Sequence, residues 1–95
     1  MLGGYSEVKD AEEEQQQMAM AHKEAIQEKL EKEFGNEDFV AVKFAEQVVA
    51  GTVYKLKIKA GDEYIHVKIF RPLPYTGLPE ELQEVEGGKE MDDPL

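Results

Sequence analysis

Val40-Ala41-Val42-Lys43-Phe44-Ala45-Glu46-Gln47-Val48-Val49-Ala50-Gly51-Thr52-Val53-Tyr54-Lys55-Leu56-Lys57-Ile58 is the stretch on which the fold turns. Val40, Val42 and Phe44 recur at period two before its centre, and Tyr54, Leu56 and Ile58 do so after it. Alternation of this kind marks two β-strands, 39–47 and 52–60, with a turn between them. The turn is unusual in composition. Hairpin turns favour Asn, Asp and Gly, whereas Gln47-Val48-Val49-Ala50-Gly51 offers two valines, an alanine and one residue suited to positive φ. Two readings stand side by side. Either an apolar hairpin tip is exposed for something else to cover, or one long strand bulges at Gly51 with its valines facing the core.

Upstream, residues 11–34 read as a helix. Asp10 is placed to cap it, with Glu13 three positions on, and Glu12, Glu13 and Glu14 suit the positive end of the helix dipole. Met18, Ala21, Ala25, Ile26, Leu30 and Phe34 share a face, and Gly35-Asn36 supplies the stop. Downstream, Ala60-Gly61-Asp62-Glu63 is a turn. The next strand is 64–71, with Ile65, Val67 and Ile69 inward and Tyr64, His66, Lys68 and Phe70 outward. Pro72, Pro74, Gly77 and Pro79 interrupt any regular ladder over 72–79. Leu82 and Val85 suggest a short or irregular last strand, and 86–95 read as a loose tail. Residues 1–9, with Gly3 and Gly4, read as a flexible trunk. Helix followed by meandering antiparallel strands gives a single α+β domain over 1–95. A meander returns alternate hairpin ends to one edge, so the Gln47–Gly51 tip and the Leu73-Pro74 loop are expected to be neighbours.

The chain has 95 residues, no cysteine and a formal net charge of −10. Lack of cysteine removes disulfides, thiolate metal sites and a thiol nucleophile. The acidity argues against nucleic acid and against anionic membranes. No apolar run approaches the roughly 18 residues of a membrane span, and Met1-Leu2-Gly3-Gly4 has no secretory pattern, so a soluble cytoplasmic protein is expected. Little points to catalysis. His22 and His66 have no neighbouring ligand at metal spacing and read as surface or boundary residues. Ser6, the only serine, has no local base. The carboxylates at 12–14 are explained by a helix start, and no phosphate-binding loop is present. No enzyme activity, cofactor or metal is expected.

In its ordered features the chain resembles the cystatins, and among them the stefins, short members without disulfides or signal peptide. Gly3-Gly4 near the N-terminus, a long helix, Gln47-Val48-Val49-Ala50-Gly51, the Ala60-Gly61-Asp62 turn and Leu73-Pro74 occur in the family's order over roughly residues 1–82. The resemblance implies a sheet wrapped around one long helix. It implies a reversible, tight-binding competitive inhibitor of papain-like cysteine proteases of the cathepsin class. The protease-binding residues would be Gly3, Gly4, Gln47, Val48, Val49, Ala50, Gly51, Leu73 and Pro74, forming an apolar wedge that enters the protease cleft. Pro72, Tyr75 and a final strand without aromatics depart from the family pattern. They motivate a second reading, a binding scaffold of the same fold with lost or altered inhibition. A monomer is expected, with exchange of halves between two chains as a route to a dimer.

Overall fold

A computed structural model describes residues 4–95. Its elements are β1 (Lys9–Asp10), α1 (Glu13–Ala21), α2 (Lys23–Leu30), β2 (Phe39–Val49), β3 (Gly51–Ala60), β4 (Glu63–Arg71) and β5 (Glu81–Lys89). The strands form one five-stranded antiparallel sheet among the described residues, in the order β1-β2-β3-β4-β5, so spatial order equals chain order. The helical segment lies across one face, α1 against β2 and β3 and α2 against β5. This is an α+β architecture.

β3 and β4 face as the alternation predicts. Tyr54, Leu56 and Ile58 join Ile65, Val67 and Ile69 in the core. β2 departs from it. Its pairing shifts register between Ala41 and Lys43, so Phe39 and Ala41 point inward below the bulge and Phe44 above it. Val40, expected on the apolar face, is exposed. One inserted residue reverses the phase of a period-two pattern.

The helix also differs from the expected 11–34. It is interrupted at His22, although backbone bonds from His22 to Met18 and from Ile26 to His22 run through the interruption. The cap is Glu12, not Asp10, whose carboxylate pairs instead with Lys43. The Gln15 Oε1 accepts from the Glu12 N–H at 2.9 Å, which explains a buried glutamine on the helix. The buried stripe is Gln15, Met18, Ala19 and Ile26, with Leu30 partly covered; Ala21 and Ala25 are exposed. The helix ends at Leu30, with Glu31 in the left-handed region and the Lys32 N–H reaching back to the Gln27 carbonyl. Ending early lets Phe34 turn back onto Phe39, ring centroids 6.1 Å apart.

Two segments expected to be loose are partly tied down. The Ser6 N–H donates to the Glu46 carbonyl at 2.7 Å, and Lys9 and Asp10 pair with Phe44 and Lys43, so the chain from Ser6 onward runs along β2. β5 is nine residues long and extends to Lys89, well into the expected tail. Its start is paired with the end of β4 and its end with the start of β4, from Phe70↔Glu81 to Tyr64↔Lys89. The residues after it fold over the outer sheet face. There the Lys57 ammonium donates to the carbonyls of Glu90, Met91 and Asp93 and is only 4% exposed. His66, expected on a wet face, is 8% exposed beside it. Among the described residues no helix is long and apolar enough to cross a membrane.

Candidate functional site

The β2–β3 connection is as tight as the backbone permits. Val49 pairs with Gly51, leaving Ala50 alone at the apex. Of the two sequence readings, the exposed tip holds. Val48 is 75% exposed, Val49 and Ala50 are exposed, and Gln47 is half-buried opposite Val53. Gly51 carries the geometry. Its φ is +123°, and a Cβ built there would lie 2.6 Å from the Arg71 carbonyl and 2.9 Å from the Phe70 ring. Only a residue without Cβ lets the tip lie this close to the end of β4.

That approach brings in the second segment. Thr52 pairs with Arg71, the last residue of β4, so residues 72–80 leave the sheet beside the tip. Leu73 is extended, at φ −61° and ψ 142°, and opens a one-turn 3₁₀ helix, Pro74–Thr76. Local bonds shape this turn. The Thr76 N–H and hydroxyl both donate to the Leu73 carbonyl, at 3.0 and 2.7 Å, and the Gly77 N–H donates to the Pro74 carbonyl. Gly77 ends the turn at φ +69°. Leu73 is half-buried and Pro74 exposed. Tyr75 and Leu78 project further, at 84% and 66% exposure, and are the apolar residues that sequence reasoning missed. Leu78 sits between Gly77 and Pro79, where neither strand nor helix can bury it, and that was its only signal in the sequence.

Gly4 is exposed, two residues before the Ser6 tie to Glu46, and the direction of pairing carries it towards the tip. Tyr5 beside it lies under the Lys55 ammonium, 4.1 Å from the ring centroid. Gly3 lies outside the described residues. The structure thus brings Gly4, the Gln47–Gly51 tip and Leu73-Pro74 to one edge.

A charged network also missed by the sequence reading spans the base of the second loop. The Arg71 Nε donates to Glu80 Oε2 and Nη1 to Glu14 Oε2, both at 2.7 Å. The guanidinium carbon lies 5.2 Å from the centre of the Tyr54 ring. The other Glu80 oxygen lies 3.0 Å from His22 Nε2. Burial opposes ionisation of Glu80, but its bonds from Arg71 and His22 outweigh it and hold the carboxyl below the usual value. Burial likewise disfavours the Arg71 charge, and the two carboxylates more than restore it. The only sequence signal was opposite charge at the two ends of a Pro- and Gly-rich loop.

Among the described residues no group of three metal-ligating side chains comes together. What the edge offers is uncharged contact area above a base of paired charges.

A family model of the cystatin domain matches residues 3–92. The chain belongs to the cystatin family, as one of its stefins. It is 40% identical to cystatin-A1 of Sus scrofa, in an alignment covering 100% of this chain and 91% of that protein. It is 38% identical to stefin-C of Bos taurus, covering 99% of this chain and 92% of that one. Leukocyte cysteine proteinase inhibitor 1 of Sus scrofa is 35% identical across 100% of this chain and 91% of its own length.

Proposed function

We propose that the protein is a reversible, non-covalent, competitive inhibitor of papain-like cysteine proteases of the cathepsin class, working in the cytoplasm. The observation that carries this reading is the single edge on which Val48, Val49, Ala50, Pro74, Tyr75 and Leu78 are exposed together. Apolar area of that kind gains free energy when a concave partner excludes water from it. Gln47 and the backbone of Gly4 provide hydrogen-bonding groups at the rim, with Gly3 preceding them in the chain. Gly51 sets the tip angle, and Leu73, braced by Pro72 and Pro74, presents a pre-shaped backbone. The wedge occupies the cleft without placing a peptide bond against the reactive cysteine, so it is not consumed. The names of the relatives support the same class of target.

The test is titration of papain with the protein. A stoichiometric loss of activity that recovers on dilution or with excess competing substrate is the expected result. Full papain activity at micromolar excess would instead leave a binding scaffold without inhibition. The working form is a monomer, with hairpin opening at the β2–β3 tip as the route to an exchanged dimer. Size-exclusion chromatography after mild heating checks this, and a species that stays monomeric excludes that route.

A further inference from the structure

We propose that the Glu14–Arg71–Glu80–His22 chain is a positioning network that holds the 72–80 loop in its docking shape and so sets how slowly the inhibitor leaves a protease. The inference rests on the inhibitory reading above and adds residues that lie behind the contact surface. Arg71 is the last residue of β4, and Glu80 immediately precedes β5. Their 2.7 Å bond therefore closes the loop at its base.

Within the loop, the bonds among Leu73, Pro74, Thr76, Gly77 and Leu78 are all local. They shape one turn but do not fix its position on the molecule. Pro72, Pro74 and Pro79 fix single φ angles and leave the placement of the loop ends open. The clasp supplies that placement. The Arg71 fork engages Glu80 and Glu14 at once while its plane lies near Tyr54, which a lysine cannot reproduce. With a proton on Nε2, His22 donates to the second Glu80 oxygen and links the loop to the interruption between α1 and α2. The side chains of His22 and Glu80 are mostly covered, which limits screening by water and salt.

A partly exposed ion network adds little to global stability. Order lost at the clasp, however, must be restored each time the loop docks. The network therefore acts on binding more than on folding. In a comparison of Glu80→Ala and parent, dissociation from papain is expected to become about tenfold faster, equivalent to about 1.4 kcal/mol. The association rate should change little, because interface changes act mostly on the off-rate.

Three readouts on the free and bound protein decide the matter: rate constants with papain, amide hydrogen exchange at Thr76 and Gly77, and the urea midpoint. Support is faster dissociation and faster exchange at both amides with a nearly constant midpoint, largely reversed in Glu80→Gln. His22→Gln, which keeps a donor, should stay closer to the parent than His22→Ala. An off-rate and exchange unchanged in Glu80→Ala overturn the proposal, as does a fall in midpoint large enough to account for the faster release. If the parent itself fails to inhibit papain, the inhibitory reading and the docking role both fall. Variants that match an inhibiting parent overturn the network alone.

Discussion

At Gly51 the distance of 2.6 Å from an added Cβ to the Arg71 carbonyl leaves no rotamer that relieves the clash, because the obstacle is backbone. Gly51→Ala is therefore expected to lower stability by about 1–3 kcal/mol, through strain at positive φ and displacement of the tip. Urea unfolding measures the first and papain inhibition the second, and both should change together. Lys57 is the second residue with an outsized effect. Its ammonium is buried under backbone carbonyls of Glu90, Met91 and Asp93, so Lys57→Met removes a charged donor and leaves those carbonyls without it. A loss of about 1.5–3 kcal/mol is expected. Limited proteolysis should cut the variant near residues 90–93 sooner than the parent. Sequence alone gave no hint of this, since Lys57 alternates with Lys55 and Lys59 as a solvated face would.

Among the elements, the 72–80 loop separates binding from stability. Tyr75 and Leu78 make no core contact, so Tyr75→Ala and Leu78→Ala should shift stability by less than about 0.5 kcal/mol. Both are expected to speed dissociation from papain, and a stopped-flow displacement assay reads this directly. Unchanged off-rates would confine the contact surface to the tip and Leu73-Pro74. The central hairpin and β4 were legible because alternation survives there for whole strands. β2 was legible only above its bulge, since nothing in Ala41-Val42-Lys43 announces an inserted residue. The helix was placed in the right part of the chain, but its cap, its end and half of its buried face were not. Alanine fits either side of a helix, and Gln15 is buried because of a capping bond that the sequence places two residues earlier. β5 was underestimated because a strand so rich in glutamate and glycine has little intrinsic preference for a sheet. Pairing with β4 overrides that, helped by the Gly88 N–H donating to Glu63.

For the molecule as a whole, two groups give acid sensitivity in separate ranges. His66 is pushed below the ordinary imidazole value by burial and then by Lys57 and Lys89, with Glu86 and Asp93 opposing. The unfolded chain therefore takes up a proton near pH 6.5 that the folded chain refuses, and stability falls as pH drops below that value. Glu80 works lower down. Its stabilising contribution, small for a partly exposed network, is complete above the unfolded value of 4.5 and is lost as pH falls through the folded one. Thermal melts from pH 8 to 3 should show the His66 loss, which His66→Gln removes, while the Glu80 contribution should shift the melts little. The candidate edge itself was legible as a set of tips because a meander leaves few arrangements. Its charged base was not, because Glu14, His22, Arg71 and Glu80 lie far apart in the chain and meet only after folding.

The equality of spatial and chain order in the sheet bears on how the protein reaches its structure. Each strand adds beside the one made just before it, so the β2–β3 and β3–β4 pairings close across turns of only a few residues. The entropy of bringing chain ends together stays small at those steps. The closures at 72–80 and, across the helical segment, at 11–38 are longer, and the Arg71–Glu80 bond sits where the first of these completes. A sheet of this kind can zip outward from its central hairpin. Docking of the helix across strands already paired is the step expected to limit refolding, so variants at Ile26 or Leu56 should slow it while variants at Tyr75 leave it unchanged.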